Sequence, residues 1–285
     1  MDSVQPIIAR REVTNHILKT FKLRADKRLG QNFLVEESVV RRIAEAAELS
    51  PGETVLEIGP GIGTLTQQLA LTGADVVAVE LDKRLIPVLS HTVGGYENVR
   101  VVQGDILKVD IPEVVGKPTF KVAANLPYYI TTPIIMNLLE QGLPVERLVV
   151  MVQKEVAQRM TASPGGRDYG AISVAMQYYT EPKIAFIVKA GSFMPAPKVD
   201  SAVMVCKRRE KPPVDVPDEK IFFRTVAAAF SVRRKMLSNA LKNMGGLTGD
   251  QVKDWLERSG IDPKRRAETL SLEDFASLAR NYRQS

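Results

Sequence analysis

Short apolar runs alternate with helix-periodic stretches along most of the chain. From Ser38 onward, Val39, Ile43, Ala46, Ala47 and Leu49 recur near helical spacing until Ser50-Pro51-Gly52 ends the pattern. The run Thr54-Val55-Leu56-Glu57-Ile58 follows and is stopped by Gly59-Pro60-Gly61-Ile62-Gly63, after which Leu65, Leu69 and Ala70 resume the helical period. Residues 75–80, 99–103, 120–124 and 148–152 predict further buried strands, with helices over 82–93 and 133–139 between them. Strands alternating with helices require crossovers, and strands apolar on both faces need cover on both sides. The pattern therefore predicts a doubly wound α/β fold around a mostly parallel sheet.

Beyond Gly170 the pattern predicts a helix to Tyr179 and then two strands, 184–189 and 201–208, that complete the sheet. Lys211-Pro212-Pro213 through Pro217 reads as a linker, and only helical patterns follow it, at 222–230, 236–241, 251–257 and 272–278. The predicted organisation is a basic N-terminal segment, 1–30, a Rossmann-like domain, 31–210, and a small all-helical domain, 211–285.

Composition narrows the setting. A 45% hydrophobic content supports a real core. The single cysteine, Cys206, cannot form an internal disulfide, and there is neither a signal-peptide core nor an apolar run of spanning length, so a cytoplasmic protein is expected. One Cys and two His without ligand spacing predict no metal site. Of the net charge of +6, the excess sits at the two ends. Residues 1–30 carry seven Lys/Arg against three Asp/Glu and residues 207–266 carry fifteen against eight, whereas 31–206 carry fifteen against nineteen. Flanks of this kind suit a polyanion, because each phosphate neutralised releases counterions. Arg233, Arg234 and Lys235 form a compact basic cluster and are the candidate RNA contact.

Three glycines, Gly59, Gly61 and Gly63, stand where a strand turns into a helix, letting the backbone approach a ligand closely. Alone this is only a tight turn or a nucleotide loop. Glu80 follows at the end of the next strand, where a carboxylate can accept hydrogen bonds from a ribose diol. Gly104-Asp105 ends the third strand and suits the exocyclic amine of an adenine, and the fourth strand ends in Asn125-Leu126-Pro127-Tyr128. Binding at the carboxyl edge is the rule for open α/β sheets.

That tetrad carries candidate chemistry. An adenine amino group is a poor nucleophile because its lone pair is delocalised into the ring. The Asn125 side-chain carbonyl can take one N–H, and the Leu126 backbone carbonyl, freed by the interruption at Pro127, can take the other. Tyr128 offers a flat face to the base. Orientation and dipoles aimed at developing positive charge then replace a strong general base. Read alone, the tetrad also fits a simple Asn-Pro turn.

The full set of motifs resembles the KsgA/RsmA family of small-subunit ribosomal RNA adenine dimethyltransferases. The matching pieces are Leu29-Gly30-Gln31-Asn32-Phe33-Leu34, Glu57-Ile58-Gly59-Pro60-Gly61, Glu80, Gly104-Asp105, Asn125-Leu126-Pro127-Tyr128-Tyr129-Ile130 and residues 193–201, Phe193 to Ser201. The resemblance implies a class I methyltransferase fold. It implies that Asn32, Leu34, Gly59, Gly61, Glu80, Asp105 and Asn125 line an S-adenosylmethionine pocket and that Phe193 joins Tyr128 around the target adenine. The implied product is N6,N6-dimethyladenosine at two adjacent adenosines in a 3′-terminal hairpin of 16S ribosomal RNA, made on an immature small subunit by a monomeric enzyme. Two alternatives stay open: an Erm-type enzyme acting on 23S ribosomal RNA, and a catalytically silent RNA-binding or transcription-assisting relative. Leu126 and the tail from Ser259 to Leu270 favour the small-subunit family over the Erm type.

Overall fold

The computed structural model describes residues 6–232 and 235–283. Nine strands occur among the described residues: β1 (Phe33–Leu34), β2 (Thr54–Ile58), β3 (Asp75–Glu80), β4 (Val99–Gln103), β5 (Phe120–Asn125), β6 (Val145–Gln153), β7 (Thr180–Val188), β8 (Phe193–Met194) and β9 (Ser201–Arg208). Seven form one sheet in the order β4-β3-β2-β5-β6-β9-β7, while β1 and β8 form a separate antiparallel ribbon. Pairing from β4 through β6 is parallel, and β9 joins β6 antiparallel. The direction of winding reverses at the β2/β5 boundary, which opens a crevice at the carboxyl ends of those two strands.

The expected strands β2, β3, β5 and β6 form because most of their residues are buried, whereas β4, also expected as a buried strand, lies at the sheet edge and has none of its residues buried. Every residue of β2 is buried, as is nearly all of β3. Val55, Val76, Ala123, Val149 and Val203 meet helix residues Val40, Ile43, Leu65 and Leu69 in one apolar cluster. Removing that surface from water contributes about 25 cal/mol per Å².

The local pattern departs from expectation after β3. The helix expected from residue 82 begins only at Ile86. Asp82 instead makes a turn, its carbonyl accepting from the Leu85 N–H at 2.9 Å and its carboxylate from the Arg84 N–H at 3.1 Å. An aspartate that bonds its own downstream backbone competes with helix propagation. Towards the N-terminus, the basic segment contains a helix, Arg11–Thr20, whose Ile17 is buried and whose Thr14 Oγ1 donates to the Ile8 carbonyl at 2.7 Å.

The chain divides into two compact units, 1–157 with 183–208 and 158–182 with 209–285. The second unit is helical apart from the start of β7. Its core is aromatic: Tyr178 stacks on Phe222 with ring centroids 4.9 Å apart, and Phe275 meets Phe222 and Phe230. Two of its helices are closed by reciprocal caps, Thr248 with Gln251 and Ser271 with Asp274, which satisfy amide groups left free at a helix start. Trp255 Nε1 donates to the Leu278 carbonyl at 2.8 Å and ties these two helices together.

Candidate active site

Strand register brings the candidate residues to one edge. Ile58 pairs with Val79 on one side and Ala124 on the other, so Gly59, Glu80 and Asn125 emerge beside one another. The Gly59 N–H reaches the Val79 carbonyl at 3.0 Å, and the Gly104 N–H reaches the Glu80 carbonyl at 2.9 Å. Leu126 N–H donates to the Met151 carbonyl at 3.2 Å, which holds the start of the tetrad against β6.

These tips surround one cleft of about 1160 Å³, open solvent at its mouth included. Asn32, Leu34, Gly59, Gly61, Glu80, Asp105, Asn125, Leu126, Pro127 and Tyr128 all line it. The glycine turn needs its glycines. Gly61 has φ +63° and directs its N–H to Glu80 Oε2 at 3.1 Å. Gly63 has φ +90°, and a Cβ there would stand 2.8 Å from Val93 Cγ1.

Glu80 is almost fully buried. Burial raises its carboxyl pKa and the nearby charge of Asp82 adds to the rise, while the N–H groups of Asp82 and Gly61 oppose it. Oε1 accepts from the Asp82 N–H at 2.7 Å. A carboxylate accepts about four hydrogen bonds, so acceptor capacity remains for a ligand diol. Asp105 is partly exposed, with Oδ1 accepting from the Leu107 N–H at 3.1 Å and Oδ2 3.5 Å from Lys108 Nζ.

Asn125 Nδ2 donates to the Asn32 carbonyl at 3.4 Å, a use of the amide that leaves its oxygen as the acceptor available to a substrate. The Pro127 carbonyl accepts from Ile130 N–H and Thr131 Oγ1, turning the chain into the helix Thr131–Glu140. Tyr128 is half-buried at the wall and its hydroxyl meets Ser201.

Phe193 stands elsewhere. It is 2% exposed and absent from the cleft wall. Pairing of β8 with β1 sets it opposite Leu34, and it packs into the apolar cluster with Val188 and Val203. Phe193 is thus a buried ring paired in register with the cleft residue Leu34, and its place around a target adenine is a proposal. Of the basic cluster, Arg233 and Arg234 lie outside the described residues, and Lys235 is exposed.

The cleft also holds two residues of the motifs to which the sequence reading gave no role. Glu57 is fully buried on its wall, with Oε2 unpartnered. Burial pushes its pKa up to about 8, the charge of Glu80 adding to the rise and contact with Thr66 opposing it. An acid within an otherwise apolar strand was the available signal. Tyr129, 57% exposed, stands at the cleft beside Gly30. Among the described residues, no group of three or more His, Cys, Asp or Glu could hold a metal ion, and no helix is long and apolar enough to cross a membrane.

Comparison with known proteins shows the family of this chain. The family described as ribosomal RNA adenine dimethylase matches residues 22–284. The chain belongs to that family. It is 51% identical over 263 residues to the ribosomal RNA small subunit methyltransferase A of Moorella thermoacetica, covering 89% of this chain and 91% of the relative. The protein of the same description from Enterococcus faecalis is 50% identical over 275 residues, 93% of each chain. Among solved structures, a dimethyladenosine transferase from Plasmodium falciparum superposes with a TM-score of 0.74 at 26% identity, covering 86% of this chain and 95% of the other. The 23S rRNA methyltransferase ErmE superposes at 0.68 with 29% identity, covering 88% and 99%. The dimethylase family thus carries the Rossmann-like fold seen here, and the Erm structure is more distant in sequence than the two small-subunit relatives.

Proposed function

We propose that this chain transfers methyl groups from S-adenosylmethionine to N6 of two adjacent adenosines in a 3′-terminal hairpin of 16S ribosomal RNA, producing N6,N6-dimethyladenosine during small-subunit biogenesis. The observation that carries the reading is the convergence of Gly59, Glu80, Asp105 and Asn125 on one cleft at the β2/β5 reversal. The names of the relatives at about half identity favour the small-subunit substrate over the Erm type.

The residues present fit the donor. Glu80 retains acceptor capacity for a ribose diol, Asp105 suits an adenine amine, and the backbone of Gly59 and Gly61 allows close approach. When bound, S-adenosylmethionine supplies an electrophilic methyl on a sulfonium centre. Asn125 and the Leu126 carbonyl hold the two N–H bonds of the target amine, aiming its lone pair into the cleft, and Tyr128 covers one face of the base. The proton lost after transfer is acidic enough to leave to water, so the tetrad needs no strong base. Arg233, Arg234 and Lys235 are assigned to the RNA backbone.

The test offers immature small subunits, naked small-subunit RNA and large-subunit RNA to the protein with methyl-labelled donor, and maps the modified base. Label on adjacent adenosines near the 3′ end of small-subunit RNA is the expected result. Label confined to large-subunit RNA would move the chain to the Erm-type reading, and no label with intact RNA binding would make it a silent relative.

A further inference from the structure

The segment 29–34 forms one wall of the cleft, and it is fastened by a side chain to which the proposed chemistry gives no task. Gln31 Nε2 donates to Asp82 Oδ2 at 2.8 Å, across 51 residues of sequence. Its Oε1 accepts from the Asp26 N–H at 2.8 Å, and its own N–H reaches the Asp26 carbonyl at 3.2 Å. Both ends of the Gln31 amide are engaged.

The far end of this fastening is buried and held by several hydrogen bonds. Asp82 is 7% exposed and is gripped by Arg84, with Nε 2.9 Å from Oδ1 and a terminal nitrogen 2.6 Å from Oδ2. The same guanidinium lies 3.6 Å from Asp26 Oδ2. The Arg84 hydrogen bonds push the Asp82 carboxyl down to about 2, so it remains an ionised acceptor at neutral pH. Asp82 also donates its N–H to Glu80 Oε1, so Gln31 is anchored to the turn that orients the proposed ribose carboxylate. On the other side Gln31 precedes Asn32, whose Nδ2 bonds the Gly30 carbonyl at 3.0 Å. A side chain that bridges the covering segment to the ribose turn sets how closely the two approach a ligand between them.

We propose that Gln31 and Asp82 form a positioning pair that seats the segment 29–34 over the methyl donor and so sets donor affinity. The proposal rests on the reading of the cleft as the donor site. Neither residue is a catalytic group: the effect passes through the seated segment and the Glu80 turn.

Calorimetry with S-adenosylmethionine on the full chain tests it, with thermal unfolding to establish that each variant is folded. Gln31→Ala and Asp82→Asn are each expected to weaken donor binding about tenfold, the scale of one hydrogen bond to a charged group. The KM for donor should rise accordingly, with kcat at saturating donor and the KM for RNA nearly unchanged. Gln31→Glu sets a carboxylate against Asp82, so its affinity should be poor at pH 8 and recover relative to wild type as acid restores a proton between them. Unchanged affinity in folded Gln31→Ala, while Glu80→Ala loses binding, would overturn the positioning pair and leave the donor site standing. Unchanged affinity in both Gln31→Ala and Glu80→Ala would overturn the donor site itself, and the pair with it.

Discussion

The phenolic oxygen of Tyr128 lies 2.7 Å from Ser201 Oγ, a side chain fully buried at the first residue of β9. The contact joins the tetrad after β5 to a strand two places away in the sheet, and it fixes the ring that is proposed to face the adenine. Tyr128→Phe and Ser201→Ala should each slow single-turnover methyl transfer by about two- to tenfold, the scale of a lost hydrogen bond of about 0.5–1.5 kcal/mol. Tyr128→Ala should be far slower, because the flat surface itself is gone. Equal rates for the Phe and Ala variants would remove stacking from the role of Tyr128.

Asn125 presents its amide between the Asn32 carbonyl and the cleft. Asn125→Ala should lower the single-turnover rate at saturating RNA about a hundredfold, the range for one placed dipole, while RNA affinity changes little. Nucleoside mass analysis would follow the mono- and dimethylated products separately. Full dimethylation at the wild-type rate would refute the assignment.

Glu80 must be ionised to accept hydrogen bonds from a diol, and burial raises its carboxyl above the ordinary value. Donor affinity should therefore fall on acidification while exposed carboxylates are still charged. Glu80→Ala should bind at least about tenfold more weakly at neutral pH, the scale of a hydrogen bond to a charged group, and show a flatter pH profile. Titration calorimetry from pH 8 down to 4.5, the ordinary carboxyl value, reads both. A wild-type profile no steeper than that of Glu80→Ala would count against Glu80 as the ribose acceptor.

Glu57 gives a stability signature of opposite origin to a salt bridge. Its ordinary carboxyl value is 4.5 and the folded value is about 8, so the folded chain holds a proton that the unfolded chain releases. The stabilisation is complete below pH 4.5 and is lost as pH rises towards 8. Glu57→Gln mimics the neutral acid and should remove this dependence, gaining on wild type by up to about 1.4 kcal/mol per pH unit across that window. Denaturant unfolding of both proteins at pH 5, 6.5 and 8 measures the difference. Parallel stability profiles would show that Glu57 is not held neutral.

The sequence by itself determined the strands and the edge at which the candidate site lies. Thr54–Ile58 and Asp75–Glu80 are apolar on both faces because helices cover both sides of a parallel sheet, and such runs are visible without coordinates. Glycines after one strand, acids after the next two and Asn125 after the fourth then follow from position alone. Only the tertiary structure decided which distant side chains meet. The Gln31–Asp82 bond spans 51 residues and no local periodicity encodes it. Likewise, the β1/β8 ribbon turns Phe193 into the core, and the compact units group 158–182 with 209–285 rather than with the neighbouring strands. Local pattern reports which face of an element must be buried, whereas the partner against which it is buried is fixed by chain reversal and sheet register, and these are properties of the whole fold.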